Sequence, residues 1–106
     1  LPHGSFIDEE LVKDNDGWLG LVNISFNSDG QHFYPVVYYV SENSPAAKSL
    51  KFGDVITSIN GVSTLNLSNR KIALLKKGNV GTKINFEIER NGRIIKKSIT
   101  KAKLPK

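Results

Sequence analysis

A chain of 106 residues with 39% hydrophobic and 24% charged residues is long enough for one packed core and too apolar for a disordered tail. It has no cysteine, which excludes a disulfide framework and a thiolate metal centre, and no apolar run near the roughly 18–20 residues that cross a bilayer as a helix. The net charge of +5 is uneven: residues 1–16 carry −4, residues 17–69 carry −1 and residues 70–106 carry +10.

Residues 1–16 read as a lead-in, with Ser5 and Asp8 placed to cap a short helix that the DNDG of 14–17 ends. The opening LPHGSFIDEE has no basic flank before an apolar segment, so it does not read as a signal peptide, and the chain reads as part of a larger protein. WLGLVNISF at 18–26 is a strand with imperfect alternation, and Asp29-Gly30 is a hairpin signal leading into FYPVVYYV at 33–40. Pro35 puts the start of that second strand at an edge or an irregularity. Ser44 as N-cap, Pro45 at the first helical position and two alanines then predict a helix of one to two turns.

Gly53-Asp54 and Asn60-Gly61 bracket the aliphatic strand 54–59, each supplying a tight turn, with the Asp54 side chain able to accept from nearby backbone amides. SNRKIALLKK at 68–77 predicts a helix capped by Ser68 or Asn66 and stopped by Gly78. TKINFEIER and RIIKKSITK pair across Asn91-Gly92 as a hairpin. In the first of these, Lys83, Glu87 and Glu89 alternate with Ile84, Phe86 and Ile88, which places the charges of the basic third on solvent-facing sides.

The stretches SPAAKSLKFGDVITSINGVS at 44–63 and GNVGTKINFEIERNGR at 78–93, in this order, resemble the PDZ domain in its bacterial, protease-associated form. The resemblance covers residues 17–101, with 1–16 as lead-in and 102–106 as a linker. It implies an α+β fold: a small antiparallel β-sandwich or partly open barrel of five to six strands, capped by one short and one longer helix. One departure stands out. The family usually places a glycine between the short helix and the following leucine, whereas here Ser49 directly precedes Leu50. Either the helix ends a residue early or Ser49 is strained.

By resemblance, such a domain binds an extended peptide, usually a C-terminus, as an added strand. Trp18, Leu19, Gly20 and Leu21 stand where the family has its carboxylate-binding loop, with the donors being the N–H groups of Leu19, Gly20 and Leu21. The alternative reading is a plain turn with Trp18 as a surface aromatic. Val22, Asn23, Ile24 and Ser25 would pair with the ligand, and Ser68, Ile72 and Leu75 would form the groove face of the helix. The set Leu67, Lys71 and Leu74 is the competitor, because helix phase is open by one residue. No histidine starts the helix, which argues against a hydroxyl two residues before the ligand's end and leaves an apolar last residue as the expectation.

Closest in pattern are the carboxyl-terminal processing peptidases, with high-temperature-requirement and retropepsin-like proteases as alternatives. The implied partners are peptide or protein C-termini and the catalytic domain of the parent chain, in the periplasm or outside the cell. The expected domain is monomeric and non-catalytic, with no cofactor, no metal, no membrane insertion and no nucleic acid.

Three other readings compete. An autonomous enzyme would have to use His3, His32 or the acids Asp8, Asp14 and Asp16, and none of these falls in a catalytic or metal-binding motif. The basic third would bind nucleic acid or an anionic membrane, but few aromatics interleave with its lysines. Last, the fold would serve as a structural or regulatory spacer whose groove is unused.

Overall fold

The computed structural model describes residues 17–24 and 34–105. The lead-in, the Asp29-Gly30 turn, both histidines and Ser25 lie outside the described residues. Among the described residues, six strands form one antiparallel sheet: β1 (Leu21–Ile24), β2 (Val36–Val40), β3 (Val55–Ile59), β4 (Val62–Ser63), β5 (Lys83–Arg90) and β6 (Arg93–Thr100). Their order is β1-β2-β3-β5-β6, with β4 paired to β3. An α-helix, α1 (Asn69–Leu75), and a 3₁₀ turn (Pro45–Lys48) are the helical elements among the described residues, in keeping with the α+β fold that the resemblance implies.

The sheet is built by local turn chemistry. Asn60 and Gly61, at φ 51° and 80°, turn β3 back into β4, a two-residue strand that the sequence reading leaves out. Asn91 and Gly92, at φ 54° and 77°, join β5 to β6 in register from Lys83↔Thr100 to Arg90↔Arg93. Along β5 the alternation is as expected, with Ile84, Phe86 and Ile88 inside and Lys83, Asn85 and Glu87 outward or half-exposed. Thr57 is an extra residue on β3, between the pairs Ile56↔Ile88 and Ser58↔Glu87, and its hydroxyl donates to the Glu87 carbonyl at 2.9 Å.

The core joins Leu21, Val37, Ile56, Ile72, Phe86 and Ile88, so α1 is held to the sheet chiefly through Ile72, which is fully buried. The Ser68 side chain caps α1, accepting from the Lys71 N–H at 3.2 Å. Shortening Ile72 to valine should cost about 1 kcal/mol of stability, measured by urea unfolding, because one buried methyl leaves a small void.

One expectation needs correction at the 3₁₀ turn, and one open alternative is decided there. Ser44 occupies the N-cap position, yet its side chain makes no capping bond. Its hydroxyl is buried and has no partner among the described residues. The missing glycine is resolved by the early-ending alternative: the turn stops at Lys48, and Ser49 sits at φ −120°, outside the left-handed region. The Ser49 carbonyl accepts instead from Arg90 Nη2 at 2.9 Å.

Arg90 also grips Asp54, Nε to Oδ1 and Nη2 to Oδ2, each at 2.8 Å, while the Lys51 N–H donates to Oδ2 at 2.8 Å. This fork ties the last residue of β5 to the turn before β3. Burial pushes the Asp54 carboxyl up, but the Arg90 and Lys51 hydrogen bonds and the adjacent positive charge outweigh it and hold the group below its ordinary value. Arg90 is raised in turn, chiefly by the bond to Asp54.

Candidate functional site

β1 is an edge strand: among the described residues only β2 pairs with it. The irregularity between them places the extra residue, Tyr38, on β2, so β1 itself keeps a regular alternation. Leu21 and Asn23 turn inward and are buried, while Val22 and Ile24 are half-exposed.

The segment before β1 is held from three sides. The Gly17 N–H donates to the Gly78 carbonyl at 2.7 Å, just past α1. Trp18 exchanges both backbone bonds with Ala102, at 2.7 and 3.0 Å, beyond the end of β6. The Leu19 carbonyl accepts from Ala46 N–H at 3.0 Å and the Gly20 carbonyl from Ser41 N–H at 2.8 Å. The carbonyls of Trp18, Leu19 and Gly20 are thus all tied to the scaffold. In contrast, neither the Leu19 nor the Gly20 N–H donates to a backbone carbonyl among the described residues. A loop whose carbonyls are turned away and whose adjacent amides are unengaged among the described residues is suited to an anion.

Gly20 is required here twice over. It sits at φ 79°, and a Cβ on it would come within 2.1 Å of Ser44 Cβ and 2.5 Å of Ser44 Oγ. Trp18 is only 8% exposed, so it is not the surface aromatic of the plain-turn reading. Its indole N–H is buried without a partner among the described residues.

α1 delivers its C-terminal end to this loop. Its C-cap, Lys76, is 5% exposed, and its ammonium donates to Asn23 Oδ1 on β1 at 2.6 Å. Lys101, 7% exposed, sends its ammonium to the Lys76 carbonyl. On the helix, Ser68 is exposed, Ile72 is core and Leu75 is half-buried against it. In the competing set Leu67 is half-buried, while Lys71 and Leu74 are exposed. Lys76 and Lys101 were not among the sequence-derived site residues. Each belongs to a lysine-rich stretch that reads as solvated surface, and nothing local distinguishes Lys76, which turns inward, from exposed Lys77. Among the described residues, no three His, Cys, Asp or Glu side chains gather to hold a metal ion.

The family model for the PDZ domain matches residues 10–100. The chain belongs to the PDZ domain family. Solved structures bear the same fold. An HtrA-type protease, AlgW, determined with a decapeptide, is 25% identical, with a TM-score of 0.70 over 87% of this chain and 30% of that one. The photosystem II D1 C-terminal processing protease is 19% identical, with a TM-score of 0.78 over 92% of this PDZ domain and 26% of that chain. The PDZ domain of a carboxy-terminal protease from Vibrio cholerae, in complex with peptide, is 21% identical, with a TM-score of 0.67 over 86% of this chain and 97% of that one. This PDZ domain therefore spans about a third or less of the two longer relatives. No curated protein matches the sequence.

Proposed function

We propose that this PDZ domain captures extended peptides with a free apolar C-terminus by strand addition to β1, as a non-catalytic recognition or regulatory module. The observation that carries the reading is the loop at Leu19 and Gly20, with its carbonyls tied back and, among the described residues, its amides unengaged at the start of an edge strand. The last carboxylate sits on these amides, residues 22–24 pair with the ligand backbone, and the last side chain lies by Leu21 and Leu75. A micromolar complex of this kind needs about 8 kcal/mol, which a few backbone hydrogen bonds and one buried aliphatic side chain supply in order of magnitude.

The related chains that were determined with a decapeptide and with a peptide support this reading. By the same likeness, the domain, taken as residues 17–101, works beside the catalytic domain of a parent protease in the cell envelope, as a monomeric module without a nucleic-acid partner.

The test is an amide-shift titration with peptides ending in free valine or alanine, and with their amidated forms. Shifts at Leu19, Gly20, Leu21 and along α1 that vanish on amidation are expected. No shift with any free peptide would remove peptide capture and leave a structural PDZ fold.

A further inference from the structure

The sheet has a second border. In the order β1-β2-β3-β5-β6, strand β6 stands at the far end from β1, and among the described residues only β5 pairs with it. Which of its backbone groups face outward follows from the register. The ladder runs without irregularity from Arg90↔Arg93 to Lys83↔Thr100, and one step further the Lys101 N–H donates to the Thr82 carbonyl at 2.8 Å. Hydrogen-bonded and non-hydrogen-bonded pairs alternate in an antiparallel ladder, so Ile99, Lys97, Ile95 and Arg93 also bond to β5. Thr100, Ser98, Lys96 and Ile94 then direct their N–H and C=O groups away from the sheet.

Two further contacts agree with this parity. Ala102, next in the outward set, exchanges both of its backbone bonds with Trp18. Asn85, opposite Ser98, turns to the β3 side: its N–H donates to the Asn60 side chain and its carbonyl accepts from the Asn60 N–H. Trp18 thus closes the border at Ala102. From Thr100 back to Ile94 it stays open, with no outward group bonded to another element among the described residues. The side chains of these four residues are exposed, Ile94 by 57%.

An open edge of this length invites pairing. Its charge decides with what. β6 carries Arg93, Lys96 and Lys97 and no acid. Glu87 lies opposite Lys96 on β5, but its carboxylate is 3.5 Å from the Ser58 hydroxyl and forms no ion pair with Lys96 among the described residues. A second copy centred antiparallel on this edge brings lysines against lysines, which destabilises a strand pair, whereas acids opposite lysines stabilise one.

We propose that β6 is a second strand-addition edge and takes an extended acidic segment of a partner protein. The partner's backbone pairs with Ile94, Lys96, Ser98 and Thr100, its carboxylates lie beside Lys96 and Lys97, and an apolar side chain covers Ile94. The edge needs no free C-terminus and is independent of the groove at β1.

The probe is acetyl-Thr-Val-Thr-Glu-Glu-Val-Val-amide. Aligned antiparallel, its glutamates fall opposite Lys97 and Lys96 and its last valine opposite Ile94, and its blocked end keeps it off the carboxylate loop. Amide shifts are expected along β6, sparing Leu19 and Gly20. The form with both glutamates changed to lysine binds at least about tenfold more weakly, and the gap narrows in salt. Lys96→Glu, a change at an exposed position, reverses the preference. Ser98→Pro deletes one outward N–H while sparing the bonds to β5, and it weakens binding of the acidic peptide. Should that variant fail to fold, hydrogen exchange on the wild type reads the same groups. The amides of Ile94, Lys96, Ser98 and Thr100 exchange faster than those of Ile95, Lys97 and Ile99 in the free domain, and the peptide slows them.

Equal binding of the two peptides, an unchanged preference in Lys96→Glu, or outward amides already protected in the free domain overturns the edge. Concentration-dependent self-pairing through β6 overturns the occupant assigned to it. If the acidic peptide binds β6 while free-valine peptides fail at β1, the groove falls and this edge stands.

Discussion

Asp54→Ala lowers the unfolding free energy by about 3 kcal/mol, because the arginine left behind keeps its burial and loses its counter-charge. Three donors converge on the Asp54 carboxylate: Arg90 Nε and Nη2 and the Lys51 N–H. The carboxylate is 2% exposed, whereas the Arg90 side chain is 22% exposed and recovers some hydration, which keeps the loss at the lower end for a broken buried pair. For a domain of this size the melting temperature falls by roughly 12–20 °C. The sign of the pH dependence is fixed by the direction of the shift. A carboxyl held below its ordinary value contributes in full above that value, 3.8, and its contribution is lost as the pH falls through the folded value beneath it. Wild-type stability therefore drops in strong acid by a component that Asp54→Ala lacks. Urea unfolding at neutral pH and along an acid series reads both effects, and a loss under 1 kcal/mol at neutral pH would contradict the role given to this fork.

Gly20→Ala removes peptide binding and also weakens the fold. The left-handed backbone at φ 79° costs an alanine roughly 1–2 kcal/mol. The new methyl would also lie 2.1 Å from Ser44 Cβ, so the loop or the 3₁₀ turn must move. Movement of either breaks the alignment of the Leu19 and Gly20 amides, since the Gly20 and Leu19 carbonyls are tied to Ser41 and Ala46 on the far side. Affinity for a free-carboxylate peptide is expected to fall at least about thirtyfold, or about 2 kcal/mol. The double change Gly20→Ala with Ser44→Gly removes the collision but keeps the unfavourable φ, so it recovers part of the stability. Calorimetric titration with a peptide ending in free valine, paired with urea unfolding, separates the two losses. Full binding by the single variant would show that the loop does not hold the carboxylate.

Much of the fold was legible because its signals are local. Asn60-Gly61 and Asn91-Gly92 both adopt the positive φ values that their hairpins need, and the alternation in β5 points Ile84, Phe86 and Ile88 into the core. Ser68 caps α1 as its type and place imply. Pro45 opens a helical turn, although only a single 3₁₀ turn forms. The two-residue β4 was missed because two exposed residues carry too little pattern to read. Of the site, Trp18, Leu19, Gly20 and Leu21 were marked by position in the resemblance, and the structure places them at an edge strand, among the described residues, beside the end of α1.

What the residue order determined by itself was therefore the set of turns, the inward face of β5 and the family-like succession of elements. Each depends on backbone preferences and periodicity over a few neighbouring residues. Tertiary structure alone decided which polar groups meet. Asp54 finds Arg90 across 36 residues, Asn23 finds Lys76 across 53, and Trp18 pairs with Ala102 from the other end of the domain. It also split one dipeptide, burying Lys76 and exposing Lys77. Composition scores these two lysines alike. Only the packing of a helix end against a strand, where an ammonium can reach an amide oxygen in place of water, buries one of them.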